Sequence, residues 1–194
     1  MFYEINENFP FLLEIEEKWE LIWNEIQVLG KKNFTDYEHS KDGGWKLMLL
    51  VMIDQFNEEY EKQCPITFEL LRKIPNITFA AVSKLSAFSV IHPHKEWIKE
   101  NDELLYNNGN LHRTHLGLKI PKDEKSCAIR VGKETRSWKQ GKMLMFNDSM
   151  EHEVWNNTPE DRIVMVIDFI KVGQTMLDNS QIKLLKKTMI DLHM

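Results

Sequence analysis

Between residues 12 and 29, Leu12, Ile15, Trp19, Ile22 and Ile26 recur every three or four positions with Glu and Lys opposite, which predicts an amphipathic helix. The polar stretch 39–45, with its glycine pair, reads as a loop. The apolar run 47–53 fits either a buried strand or a buried helix, because an unbroken run carries no period that separates the two. Pro65 suits the first turn of a short helix reaching Ile74, where Pro75 stops it. From Ile77 the pattern changes to short β-rich runs bounded by turn residues: 85–91, 111–120, 127–131, 143–146, 152–155 and 162–170. Strands at this spacing predict a sandwich or barrel. The last stretch, 180–192, has Ser180 at the cap position and Ile182, Leu185, Met189 and Leu192 on one face, which predicts a helix laid against the sheet.

The expected organisation is one unit of helices packed on a β core. Residues 1–76 form a mostly helical N-terminal part, 77–170 the core and 171–194 a C-terminal helix. A length of 194 residues suits one hydrophobic core. With 25 Lys and Arg against 30 Asp and Glu, the formal charge of −5 argues against a phosphate-tracking surface or a polybasic anchor, so neither nucleic acid nor membrane is expected as a partner. Cys64 and Cys127 share no metal-type spacing, the N-terminus is acidic, and no apolar run approaches bilayer length. A cytoplasmic protein is the expectation.

Candidate chemistry stands in the β region, in His94-Lys95-Glu96, His152 and Arg162. On a strand, positions i and i+2 share a side, so His94 and Glu96 can present an imidazole and a carboxylate to one point. A histidine from a distant strand completes a two-His, one-carboxylate face, the set used by non-haem Fe(II) oxygenases. Arg162 opens the apolar run RIVMVIDFI, where an always-charged guanidinium calls for an anion, best of all a carboxylate. Each residue also has an ordinary reading. Seven His among so many acidic residues produce about one H-x-E by accident, and one is present. His152 alone reads as a structural histidine and Arg162 alone as a surface ion pair. Trp45, Trp97, Trp138 and Trp155 read as packing, and Met143, Met145, Met150 and Met165 as core filling. Only the joint pattern points to a site.

The segments FSVIHPH (88–94), RTHLGLKIP (113–121) and above all GKMLMFNDSMEHEVWNNTPEDRIVMVIDF (141–169) resemble the catalytic domain of the aspartyl/asparaginyl β-hydroxylase family. The resemblance covers about half the chain. It implies a mainly β fold with flanking α-helices, the double-stranded β-helix or cupin-like jelly roll, and Fe(II) and 2-oxoglutarate as cofactors with O2 as co-substrate. It further implies that His152 is the distal iron ligand, that Arg162 grips the distal carboxylate of 2-oxoglutarate, and that Ser89 assists it. By the same resemblance His115 lies near the iron-bound end of the co-substrate, Arg113 faces that carboxylate or the substrate, and Gly117 is a close-packing position. The site is thus expected to be locally basic through Arg113 and Arg162.

The proximal ligand departs from the family's pattern, because the P-H-x-G-P stretch of the protein-modifying members is missing. One alignment places His94 and Glu96 there, similar to the P-H-R-D of free-amino-acid hydroxylases such as proline hydroxylases. The other places Asp102. The first is preferred because it completes a His-carboxylate-His set of His94, Glu96 and His152, with His92 as a spare ligand or outer donor. A carboxylate ligand favours hydroxylation over halogenation. The implied reaction is hydroxylation of an unactivated carbon in an amino acid, a peptide or a carrier-bound metabolite. Leu111 stands where the protein hydroxylases carry a second Arg, which favours a small amino acid, free or tethered. Two other readings stay open: a catalytically inactive relative that binds metal or 2-oxoglutarate, and an interaction module that uses the terminal helices. Oligomeric state is not legible.

Overall fold

The computed structural model describes residues 1–36, 44–53, 55–95, 98–100, 103–106 and 111–170. Two facing antiparallel sheets make the body. The strands, in chain order, are β1 (Phe2–Tyr3), β2 (Thr35–Asp36), β3 (Trp45–Met52), β4 (Gln55–Phe56), β5 (Ile77–Leu85), β6 (Ser89–His94), β7 (Ile98–Glu100), β8 (Glu103–Tyr106), β9 (Leu111–Lys119), β10 (Cys127–Val131), β11 (Glu134–Arg136), β12 (Met143–Phe146), β13 (His152–Asn156) and β14 (Arg162–Ile170). The large sheet has the order β1-β12-β9-β14-β5-β3-β2, with β4 paired to β3. The small sheet has the order β11-β10-β13-β6, and β7 pairs with β8. This is the double-stranded β-helix with flanking helices that the sequence predicts.

Four α-helices lie among the described residues: α1 (Pro10–Glu17), α2 (Trp19–Leu29), α3 (Glu58–Glu61) and α4 (Pro65–Arg72). The predicted helix over 12–29 is therefore two helices, broken at Lys18, whose φ of −101° and ψ of 12° leave the helical region. Its apolar face is as predicted: Leu12, Ile15, Ile22, Ile26 and Leu29 are buried, packed with Leu116, Leu118, Met165, Ile167 and Phe169 on the outer face of the large sheet. Helix α4 starts on Pro65, but Cys64 before it supplies no side-chain cap. Glu25 of α2 does so instead, its carboxylate accepting from Ile66 N (2.9 Å), Thr67 N (2.8 Å) and the Thr67 hydroxyl (2.7 Å). Beside this carboxylate, burial pushes the Cys64 thiol up to about 12.

The apolar run 47–53 is strand, most of β3, and it pairs with β5. The large sheet therefore runs across the expected boundary at residue 76. The predicted strand 85–91 is not one element. The chain leaves the large sheet at Leu85, turns through Phe88 at a φ of +54°, and enters the small sheet at Ser89. A bulky residue in the left-handed region carries no sequence signal, so the run looks continuous. The expected loop 39–45 lies largely outside the described residues, and the predicted helix 180–192 lies wholly outside them. No helix among the described residues is long and apolar enough to cross a membrane.

Candidate active site between the sheets

The inner core, where the sheets face each other, is lined by Leu47, Phe79, Ala81 and Leu85 from one side and Ile91, Ile129, Val131 and Val154 from the other. Among the described residues polar side chains enter it at Ser83, which accepts from Trp45 Nε1 (3.0 Å), and in a larger group that begins at His152. His152 opens β13 and stands opposite His94 at the end of β6, their ring centres 4.2 Å apart. A β-bulge produces that pairing. Val154 faces Ile91, so a regular ladder would put Pro93 opposite His152; the extra residue at His92-Pro93, where a proline cannot serve the ladder, brings His94 there instead. His92 is left exposed and contributes its carbonyl oxygen.

Both rings are oriented alike. His94 Nδ1 lies 2.7 Å from the His92 carbonyl oxygen and His152 Nδ1 lies 2.9 Å from that of Met150. A carbonyl only accepts, so Nδ1 carries the proton and Nε2 of each neutral ring is the nitrogen suited to a divalent ion. Glu96 and Asp102, the rival third ligands, lie outside the described residues. Within those residues no group of three or more ligating side chains gathers.

From the histidine pair the polar track runs inward. Phe146 lies edge-on to His115 at 5.0 Å and 5.8 Å from the His152 ring. His115, on β9, accepts a hydrogen bond at Nδ1 from the indole Nε1–H of Trp138 (3.2 Å). Burial, then the Arg162 and Arg113 guanidinium groups and His152, hold its pKa well below the usual imidazole range, so it is neutral at pH 7. The guanidinium of Arg162 lies 4.8 Å over the Trp138 ring. It is 1% exposed, and its Nε and Nη1 have no hydrogen-bond partner among the described residues. Burial pushes its pKa down to about 10, which still leaves a full charge at neutral pH. An uncompensated buried cation is costly by several kcal/mol. Its natural complement is an anion entering between the sheets, so the residues present fit a carboxylate ligand at one end and a metal ion at the other.

Ser89 donates to the Ala87 carbonyl (3.3 Å), and Gly44 packs against it so closely that a Cβ there would meet the Ser89 hydroxyl. Arg113 is held by carboxylates. Its Nε and Nη2 donate to the two oxygens of Asp168 (2.8 and 2.6 Å), and Asp148 Oδ2 lies 3.1 Å from the same Nε. Both carboxylates are fully buried. They offset the Arg113 charge, so the local basicity expected from two arginines rests on Arg162. Trp138, Phe146, Asp148 and Asp168 are the residues that reading the sequence missed. Asp168 did carry a signal, since a carboxylate inside RIVMVIDFI requires a buried partner.

The profile of the aspartyl/asparaginyl β-hydroxylase family matches residues 16–172. The chain belongs to this family. Among its relatives, the ornithine lipid ester-linked acyl 2-hydroxylase of Rhizobium tropici is 33% identical over 84% of this chain and 58% of its own length. The human aspartyl/asparaginyl β-hydroxylase is 34% identical over 79% of this chain and 20% of its own. The chain thus matches little more than half of the first and a fifth of the second. Solved structures share the fold at low identity. HygX of Streptomyces hygroscopicus, solved with nickel and 2-oxoglutarate, has a TM-score of 0.56 at 9% identity over 89% of both chains. The viral collagen prolyl hydroxylase of Paramecium bursaria Chlorella virus 1 has 0.53 at 13%, over 89% of this chain and 96% of its own.

Proposed function

We propose that this family member is an Fe(II)- and 2-oxoglutarate-dependent dioxygenase that hydroxylates an unactivated carbon. The buried guanidinium of Arg162, with Nε and Nη1 unpaired among the described residues, carries the reading, because it asks for an anion that must reach deep between the sheets. A dicarboxylate long enough to run from there to the histidine pair meets that demand. His94, Glu96 and His152 would hold the Fe(II). Bound there, the ion supplies the redox chemistry that couples O2 and 2-oxoglutarate to oxygen insertion into a C–H bond, with succinate and CO2 as co-products. The carbonyls of His92 and Met150 orient the two imidazoles, Arg162 anchors the distal carboxylate, neutral His115 donates from Nε2, and Phe146 excludes water between His115 and His152.

The relatives widen the choice of substrate. An amino acid, a peptide or a carrier-bound metabolite remains, and the lipid hydroxylase among the relatives adds an acyl chain. The two free, buried thiols of Cys64 and Cys127 support a reducing, cytoplasmic setting. The interaction-module reading is weakened by the N-terminal helices, whose apolar faces are already spent on the large sheet. Turnover of 2-oxoglutarate with Fe(II) tests the proposal in wild type and His152→Ala. Succinate from the wild type alone is expected; none from either overturns the proposal and leaves the inactive relative.

A further inference from the structure

Trp138 is the largest fully buried side chain described, and it touches both His115 and Arg162. Its N–H meets His115 and its ring face lies under Arg162. An indole N–H only donates, so His115 Nδ1 must accept and the single ring proton must sit on Nε2. Without that bond the neutral imidazole could carry its proton on either nitrogen.

The loop bearing Trp138 is held down independently. A Cβ on Gly117 would collide with the Lys139 carbonyl oxygen, so the backbone just after Trp138 presses directly on β9. Gly117 N donates to the Lys142 carbonyl (3.0 Å) and Gly141 N donates to the Gly117 carbonyl (2.8 Å), closing the loop on both sides. Glycine is required at 117 for this approach, two residues along the same strand from His115.

We propose that Trp138 is a positioning residue that presets both anion-binding groups of the cleft, fixing His115 as an Nε2–H donor through its N–H and seating the Arg162 guanidinium on its ring. The proposal rests on the 2-oxoglutarate reading above. The two contacts separate by substitution: Trp138→Phe removes the N–H and keeps a ring, whereas Trp138→Leu removes both.

Calorimetry on the full chain loaded with Zn(II), which supports no turnover, would measure 2-oxoglutarate and its analogue without the distal carboxylate, 2-oxopentanoate. Trp138→Phe should weaken both ligands alike, about tenfold. Trp138→Leu should add a further loss for 2-oxoglutarate alone. Nitrogen-15 correlation spectra should show His115 as the Nε2–H tautomer in the wild type and as a mixture in Trp138→Phe, a change that mere packing would not cause. Unchanged affinities and an unchanged tautomer overturn the inference alone. Should the variants fail to fold, an Nδ1–H tautomer in the wild type overturns it and an Nε2–H tautomer supports it. Absence of 2-oxoglutarate binding by the wild type overturns the functional reading and this inference with it.

Discussion

On β14, Met165, Ile167 and Phe169 point to the helices, while Arg162, Val164, Val166 and Asp168 point to the small sheet. The same strand, read on alternate residues, builds two different environments. The helix side is an apolar layer in which each large side chain meets another. The sheet side has aliphatic walls but holds His115, Arg113, Arg162 and two carboxylates. Even there the charges differ. Arg113 is matched by Asp168 and Asp148, whereas among the described residues Arg162 meets the face of Trp138 and no carboxylate. The contrast separates a charge matched within the fold from one that, on the proposed function, a ligand would match.

The largest expected effect is on the matched charge. Asp168→Ala leaves Arg113 without its two-point partner and should cost about 3–5 kcal/mol, read from the urea midpoint. A loss under about 1 kcal/mol would place Arg113 with the ligand-facing group instead. Next comes Arg162→Met, which should raise stability by about 1–4 kcal/mol because it removes an uncompensated buried charge. The same change should abolish 2-oxoglutarate binding by calorimetry. A destabilised Arg162→Met protein would erase the distinction between the two arginines. The smallest effect belongs to the helix layer. Glu25→Ala uncaps α4 and should cost about 0.5–2 kcal/mol in thermal unfolding, with 2-oxoglutarate affinity unchanged. Altered affinity there would mean that the two faces are coupled.

Helical spacing named the residues of α1 and α2 that meet the sheet, because burying one face imposes a period of 3.6. It missed the break at Lys18, since the apolar stripe continues across it. The strands β9, β10, β12, β13 and β14 were legible as apolar runs between turns, while β5 went unread except for Leu85, which the run 85–91 joined to the start of β6 because the turn between them is made by Phe88. Trp138 read as ordinary packing: nothing in its neighbours along the chain shows that it reaches His115, 23 positions away, or Arg162 beyond that.

By itself the sequence determined the mainly β architecture through periodicity and the candidates His94, Glu96, His152 and Arg162 through local motifs, because both reside in neighbouring residues, while the family resemblance added Ser89, Arg113 and His115. Tertiary structure alone decided which of these meet. The bulge at His92-Pro93 turned His94 toward His152, Asp168 took up the charge of Arg113, and Arg162 was buried against the ring of Trp138. Register and burial are properties of chain segments brought together, and a charge has a partner or lacks one only after they pack.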